Sequence, residues 1–320
     1  MNVLVLGATG FLGRHVCHML EQCGIQVIRS SKSLGLDLCD AAATQERLAA
    51  WTPDAIINCA SFGGSVHFVM REPADVLHTN LLMVLNLYRA AASLATRPLI
   101  VNALANCSYA ASLDLQVETH WLAGPVHPSV MSFGNATRMK YVIAKCYAKQ
   151  HAIPSRNLLF GGMFGPWDHL EDDRLHALDG IILRMVRAHV FHEPELKIWG
   201  TGTPLREWIF VKDAARALIE ALEAPCDLTE PVNVSQGLAL SVNDIAVLVQ
   251  RLTNYPGKIE HDLSYPDGAP TKVLDGRTFR SLFPHFRFTD FEVAVKETID
   301  YYRQAVTNAL ATERVGQGSL

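Results

Sequence analysis

The chain has 320 residues, of which 49% are hydrophobic and 19% charged, and its formal net charge is −4. This balance is typical of a globular enzyme, and the length allows one large domain or two coupled domains. The charge gives no footprint for binding nucleic acid or an anionic membrane, and no apolar run reaches the ~18 residues of a transmembrane helix.

The seven cysteines are scattered along the chain. None form a CxxC pair, and no Cys/His cluster has zinc-site spacing, so we expect no metal. No basic segment precedes the first apolar run, so we expect no signal peptide. These features predict a cytoplasmic protein with reduced thiols.

The first half alternates short β-rich runs with helical stretches, beginning with a continuous apolar run typical of a parallel strand covered on both faces. The alternation predicts an α/β fold with a Rossmann-type doubly wound parallel sheet. In chain order the predicted elements are strand 2–6, helix 11–23, strand 26–29, helix 44–51, strand 55–59, helix 75–94, strand 99–102, helix 134–150 and strand 156–160.

The pattern becomes irregular after Gly165 and Pro166. We therefore predict a dinucleotide-binding domain over 1–165 and a smaller mixed α/β substrate-binding domain over 166–310. Some segments of the second region should return to the first, and a flexible tail should cover 311–320. The predicted elements here are helix 181–188, strands 197–199 and 208–210, helix 212–223, strand 232–234, and helices 242–252 and 291–303.

The segment GATGFLG, from Gly7 to Gly13, directly follows a strand and opens a helix. In that context Gly7 allows a tight turn, Gly10 lets the backbone approach a pyrophosphate, and Gly13 lets the helix pack closely on the sheet. The helix N-terminus adds free N–H groups for phosphates. This predicts a dinucleotide site; an ordinary glycine-rich turn is the alternative.

The end of the second strand should select the cofactor. An NAD site places Asp or Glu there for the ribose 2′-hydroxyl, whereas this chain has Arg29-Ser30-Ser31-Lys32. Two cations and two hydroxyls suit a 2′-phosphate, which favours NADP(H) over NAD; a solvated basic loop is the alternative. The residues expected at the dinucleotide are Gly7, Thr9, Gly10, Phe11, Leu12, Gly13, Arg29, Ser30, Lys32, Asp37 and Leu38.

Four further segments stand out: SFGGSV at 61–66, IWGTGTPLRE at 198–207, WIFVKDA at 208–214 and PDGAPTKVLD at 266–275. With the glycine loop, they resemble segments of the GDP-L-fucose synthases, a family of the extended short-chain dehydrogenase/reductase class, and the similarity covers residues 1–302. The resemblance implies a nucleotide-sugar epimerase/reductase, a homodimer paired through helices 75–94 and 134–150, and adenine contacts by Asp37 and Leu38.

Three residues in these segments have chemistry suited to a nucleotide sugar. Arg206 and Lys272 are cations for a diphosphate, and Trp199 offers a flat apolar face to a base or sugar. In the family, the matching residues contact the nucleotide sugar. The alternative is a core tryptophan with two surface cations.

The class reduces a keto sugar with a Ser/Thr–Tyr–Lys set, in which Tyr-x-x-x-Lys lies on one helix face. When 147–166 is matched to the class without a gap, the Tyr position is Phe133 and the Lys position is Thr137. The Ser position, four residues before Tyr109, is Ala105. We therefore expect all three residues to be replaced.

A literal Tyr-x-x-x-Lys occurs at Tyr141 and Lys145. It lies two helical turns, roughly 12 Å, beyond the reactive position in the ungapped frame. Using it would require eight inserted residues before the helix and eight deleted after it. Tyr141 and Lys145 are therefore either a relocated catalytic pair or part of a helix face at a subunit contact or in solvent.

Cys107 falls where the family has a cysteine used as an acid/base in epimerisation. The family's histidine partner is expected near Gly180, where this chain has no histidine, and His176 and His169 are nearby substitutes. A catalytic thiol must be accessible and activated, so a buried core cysteine is the alternative.

Two functions remain. The first is an enzyme that acts on an NDP-4-keto-deoxy sugar, GDP-linked by resemblance, with epimerisation favoured over reduction because epimerisation beside a ketone needs no hydride. The second is a catalytically degenerate member that binds NADP and a nucleotide sugar as a regulatory or partner subunit.

Overall fold

The computed structural model describes residues 1–171, 174–265 and 267–317, with side chains as far as residue 311. The strands of this part are β1 (Asn2–Leu6), β2 (Gln26–Ser30), β3 (Ala55–Asn58), β4 (Leu99–Ala105), β5 (Ser155–Phe160), β6 (Gly162–Phe164), β7 (Glu195–Trp199), β8 (Leu205–Phe210), β9 (Val232–Val234), β10 (Ala239–Ser241), β11 (Lys258–Asp262) and β12 (Thr271–Lys272). The helices are α1 (Phe11–Gln22), α2 (Ala41–Trp51), α3 (Val66–Arg71), α4 (Pro73–Ser93), α5 (Met131–His151), α6 (Ala177–Val190), α7 (Val211–Glu223), α8 (Val242–Thr253), α9 (Arg277–Leu282) and α10 (Phe291–Gln317).

The central sheet has the strand order β2-β1-β3-β4-β5-β9, and every neighbouring pair in it is parallel. One face packs on α1 and α7, and the other on α2, α4 and α5. The predicted Rossmann-type α/β fold is confirmed. The strand order reverses between β1 and β3, which is where this architecture places ligands.

A row of buried asparagines crosses the middle of this sheet. Asn58, Asn102 and Asn157 are paired in register on β3, β4 and β5. Asn102 accepts a hydrogen bond from Asn58 at 3.2 Å and donates one to Asn157 at 3.1 Å. The Tyr88 hydroxyl accepts a further bond from Asn102 at 2.8 Å. Because a one-residue slip would break the row inside the core, it helps to fix the register of these strands.

The C-terminal half builds a second core from Phe164, Trp208, Tyr302 and the apolar faces of α6, α8 and α10. Its sheet has the order β10-β8-β12, with β6 also on β8, and β11 pairs separately with β7. Three of its elements return to the first half: α7 packs on α1, β9 is the sixth strand of the central sheet, and Phe279 of α9 packs in the same core.

Most differences from the predicted elements lie at helix ends. Helix α2 begins three residues earlier than predicted because the Asp40 carboxylate caps it by accepting the Ala43 N–H at 3.0 Å. Helix α10 continues from Phe291 to Gln317, so residues 311–317 of the predicted tail are helical, and 318–320 lie outside the described residues. The short elements α3, α9, β6, β10, β11 and β12 were not predicted. No helix in the described ranges is long and apolar enough to cross a membrane.

Candidate active site

The glycine loop between β1 and α1 forms a tight cradle. Gly7 has φ +74°, and a Cβ there would lie 2.9 Å from the Ala60 nitrogen. A Cβ on Gly13 would lie 2.1 Å from the Gly7 carbonyl oxygen. Gly10 is the N-cap of α1, and no side chain caps the first-turn N–H groups. The loop therefore fits the diphosphate of a dinucleotide.

Phe11 and Leu12, also expected at the dinucleotide, can contact it only through their backbone. Their side chains are buried in the core beneath α1, at 8% and 9% exposure. Only their backbone N–H groups are therefore available to a ligand.

Three hydroxyls meet at the adenosine end of this loop. The Thr9, Ser31 and Ser33 hydroxyl oxygens lie 3.0 Å from one another. Ser30, which was expected to contact the cofactor, is instead 2% exposed, and its hydroxyl has no partner among the described residues. Ser31 and Ser33 follow β2, and only the folded loop shows that they meet Thr9.

The two cations expected to bind a 2′-phosphate are not brought together. Arg29 donates to both carboxylate oxygens of Glu21, at 2.9 and 2.6 Å. Lys32 lies 2.8 Å from Asp37, and this hydrogen bond lowers the pKa of the Asp37 carboxyl. The adjacent Leu38 side chain is buried. Because exposed ion pairs contribute only about 0–1 kcal/mol, a bound phosphate can replace either carboxylate.

The first turn of α5 faces the loop that follows β3. A Cβ on Gly63 would lie 3.1 Å from the Phe133 ring, so ring and loop are in contact. A Cβ on Gly134 would lie 2.8 Å from the Cys107 carbonyl oxygen, so the same turn packs on the segment after β4. Phe133 therefore lies between the loops that end β3 and β4.

Ala105 ends β4, and Thr137 is buried one turn after Phe133 on α5. We call Ala105, Phe133 and Thr137 the α5 wall. It contains no phenol and no amine at these positions.

Tyr141 and Lys145 are held in another place. The Tyr141 hydroxyl donates to Glu230, and the Lys145 amine donates to the other oxygen of that carboxylate at 2.7 Å. The Tyr141 ring packs edge-on against Trp121, with centroids 5.1 Å apart. The pair thus ties α5 to the segment before β9.

Cys107, His127 and Lys272 line a narrow groove. Arg206, on the neighbouring strand β8, is paired in register with Lys272. We call these four residues the Cys107 cleft. Burial raises the pKa of the Cys107 thiol, and the nearby Lys272 ammonium opposes that rise. Burial lowers the pKa of Lys272, and the Arg206 charge adds to the decrease. Lys272 and Arg206 are neighbouring cations, with the Asp267 charge acting on Arg206. Two such cations side by side favour an anion such as a diphosphate.

His127 was not predicted from the sequence. Its Nδ1 accepts the Ser129 N–H at 3.3 Å and lies 2.8 Å from the Ser129 hydroxyl. Burial lowers the pKa of this imidazole, and the Lys272 and Arg206 charges lower it further. A neutral ring with Nδ1 as acceptor carries its proton on Nε2, which makes it a donor.

Trp199 lies in a cluster of rings and a cation. The Tyr265 ring stacks on it with centroids 4.5 Å apart and 9° between the planes. The Arg184 guanidinium carbon lies 4.7 Å from the indole centroid, and the His67 ring meets it edge-on at 5.2 Å. Trp199 is nevertheless 39% exposed. Such a cluster can accept a planar base.

His176 is the N-cap of α6, and Asp168 orients it. The buried Asp168 carboxylate accepts both the backbone N–H of His176, at 2.9 Å, and its Nδ1–H, at 3.0 Å. Desolvation opposes protonation, but the Asp168 charge and hydrogen bond outweigh it and raise the pKa of His176. The His176 ring lies 5.1 Å from the Phe11 ring on α1. His169, the other substitute, lies 3.9 Å from Glu171.

Among the described residues no hydrogen bond joins Cys107 to His176, and no group of three or more His, Cys, Asp or Glu side chains could hold a metal ion. Sequence reasoning missed Asp168, Tyr265, Arg184 and His127. His127 belongs to no motif, although its partner Ser129 is only two residues away. His176 was identified, but its partner Asp168 was not.

The fold and the glycine cradle define a dinucleotide-binding α/β protein with a second cleft at the carboxyl ends of its strands. The chain belongs to the NAD dependent epimerase/dehydratase family, whose model matches residues 3–235.

Among its relatives are GDP-L-fucose synthase of Azorhizobium caulinodans, 27% identical over 94% of this chain and 96% of that protein, and probable GDP-L-fucose synthase 1 of Oryza sativa subsp. japonica, 27% identical over 88% and 86%. A GDP-L-fucose synthetase from Naegleria fowleri bound to NADP has the same fold, with a TM-score of 0.84, 24% identity and coverage of 96% of this chain and 95% of that one.

Proposed function

We propose that the protein is an NADP-binding enzyme that epimerises an NDP-4-keto-deoxy sugar, GDP-linked like the sugar in the names of its relatives. The observation that carries this proposal is that groups able to exchange protons, Cys107 and the His176–Asp168 pair, accompany an α5 wall that contains no phenol or amine.

The residues around the glycine loop fit the cofactor. Added Cβ atoms would fill the cradle at Gly7 and Gly13, and the uncapped start of α1 faces the same space. Arg29, Lys32 and the hydroxyls of Thr9 and Ser31 can hold a 2′-phosphate once it displaces the exposed carboxylates. A bound nicotinamide dinucleotide supplies a hydride donor or acceptor.

The nucleotide sugar occupies the Cys107 cleft in this proposal. Arg206 and Lys272 bind its diphosphate, and the base stacks in the Trp199 cluster, where Tyr265 and Arg184 already lie against the indole. The Arg206 guanidinium is held by a hydrogen bond to the Asp267 carbonyl at 3.1 Å, which preorganises it for bidentate contact.

Epimerisation beside a ketone needs one group to remove the proton and another to return it on the opposite face. His176 is oriented by Asp168 through Nδ1, which leaves Nε2 to exchange a proton with substrate. Because its pKa is raised above its ordinary value, the imidazole becomes a base only as the pH exceeds that value. Cys107 stays a neutral thiol and serves as the proton donor.

Reduction would need a proton donor for the carbonyl oxygen. The α5 wall offers the ring of Phe133, the hydroxyl of Thr137 and the methyl of Ala105. Tyr141 and Lys145 are bonded to Glu230 instead. These contacts support epimerisation without net redox change.

The test is to incubate the purified protein with a GDP-4-keto-6-deoxyhexose in deuterated water, with and without NADPH. We expect deuterium at C3 or C5 and no loss of NADPH absorbance. NADPH oxidation would contradict the assignment of the α5 wall. If both ligands bind but this and related sugars show no exchange, the protein is a binding or regulatory member of the family.

We also propose a cytoplasmic homodimer that pairs through α4 and α5. Leu85, Met139 and Val142 on these helices are exposed apolar side chains. Light scattering from the purified protein should give twice the 35.3 kDa chain mass.

A further inference from the structure

Lys140 on α5 is a buried amine with few partners. It is 9% exposed, and its Nζ donates to the Ala103 carbonyl oxygen at 3.2 Å. Within the described residues it forms no ion pair and no other hydrogen bond. An ammonium carries three donors, so the fold leaves two of them unused in a place where water is largely excluded.

The position of Lys140 on α5 directs this amine toward the α5 wall. Residues three and four apart share a helix face, which places Phe133, Thr137 and Lys140 on one side of α5. Lys140 lies about 4.5 Å further along the axis than Thr137. Helical side chains lean toward the N-terminus, so the long lysine side chain leans back toward Thr137.

The surroundings of the amine belong to the cofactor crevice. The Cys59 thiol is the titratable group whose charge acts on Lys140. Cys59 directly follows β3, and its backbone carbon lies 2.9 Å from where a Gly7 Cβ would be. The amine thus lies beneath the strand ends over which a dinucleotide passes.

We propose that Lys140 compensates for the amine absent at Thr137 and donates hydrogen bonds to the ribose on the nicotinamide half of the bound dinucleotide. The inference rests on the proposed function only in that a dinucleotide binds at the glycine loop. Lys140 is then a cofactor-binding residue that neither the glycine motif nor the Tyr-x-x-x-Lys pattern identifies.

Burial lowers the pKa of Lys140 to about 8. The amine is therefore still mostly protonated at neutral pH, although no anion balances it in the described part of the chain. Ribose hydroxyls would satisfy its remaining donors without requiring a carboxylate.

The experiment compares two ligands on the full-length protein by calorimetry. NADPH carries both ribose halves, whereas 2′,5′-ADP carries only the adenosine half. We expect Lys140→Met to weaken NADPH binding about 10-fold or more, as for loss of a charge-assisted hydrogen bond, and to leave 2′,5′-ADP binding within about 2-fold. Lys145→Met, on the same helix, is the matched control and should change neither.

The double variant Thr137→Lys/Lys140→Met returns an amine to the other position and should recover most of the lost NADPH affinity. A structural role of Lys140 would not be rescued in this way. Unchanged NADPH binding by Lys140→Met, or equal losses for both ligands, would overturn the inference. Absence of NADPH binding by the unmodified protein would instead refute the proposed function.

Discussion

The α5 wall and the Cys107 cleft are neighbours that differ sharply in chemistry. They touch where Gly134 packs on the Cys107 carbonyl, yet the cleft holds a thiol, an imidazole and two cations, while the wall presents a phenyl ring, a methyl group and one buried hydroxyl. Under the proposed function, this difference means that one scaffold keeps ligand binding and proton exchange without the groups that accompany hydride transfer.

The largest effect on proton exchange should come from removing the Cys107 thiol. We expect Cys107→Ser to slow deuterium exchange into the keto sugar by about 10³-fold, because a hydroxyl is a far weaker acid than a thiol and general acid–base groups typically contribute 10²–10⁴-fold. NADPH affinity should stay unchanged, since Cys107 lies outside the glycine loop. Exchange at the original rate would exclude the cysteine from the reaction.

Returning Ser, Tyr and Lys to the three positions of the α5 wall should allow reduction of the keto sugar by NADPH. In the triple variant Ala105→Ser/Phe133→Tyr/Thr137→Lys, NADPH oxidation with the keto sugar should rise about 10²-fold above background, since a positioned proton donor acts on the carbonyl oxygen. The assay is loss of absorbance at the nicotinamide band. The matched control, Tyr141→Phe/Lys145→Met in the same background, should keep the gain; its loss would show that the relocated pair is the donor.

An effect of intermediate size is expected on the pH dependence of deuterium exchange when the His176–Asp168 pair is altered. Deuterium exchange should rise with pH as His176 loses its proton, with a midpoint above 6.5 because Asp168 raises this pKa. Asp168→Asn removes the charge, so the midpoint should move to lower pH, and the plateau rate should fall about 10-fold because the ring is less well oriented. A pH profile that Asp168→Asn leaves unchanged would assign the base to another residue.

The smallest effect should come from the literal Tyr-x-x-x-Lys. Tyr141→Phe removes one hydrogen bond to Glu230, and we expect a loss of about 1 kcal/mol in unfolding free energy by denaturant titration. Exchange activity should stay within about 2-fold, because the hydroxyl is bonded to Glu230 and not to a residue of the wall or the cleft. A large activity loss with intact folding would reverse the assignment.

The fold was readable from the sequence because its signals are local. The apolar run of β1, the glycine loop and the alternating elements each occupy a few consecutive residues, and the sheet followed from them. The boundaries of α6 and α10 were less accurate, because helix ends depend on caps and tertiary packing.

The site was only partly predictable. Cys107, His176, Trp199, Arg206 and Lys272 were identified through motifs. The orientation of His176 and Trp199 was not, because it depends on Asp168 and Tyr265, which belong to none of these motifs. The pairing of Arg29 with Glu21 was missed for the same reason. The burial of Lys140 could not be predicted, because α5 carries both polar and apolar residues and the strands packed against it decide which of them are buried.

The cluster around Trp199 has a consequence for the kinetics of recognition. Tyr265 and Arg184 already lie against the indole, so under the proposed function an incoming base competes with them for its surface. Association then includes a step within the protein itself, whose rate does not depend on ligand concentration. Because that step changes the surroundings of an indole, the intrinsic fluorescence of the protein would report the arrival of the nucleotide.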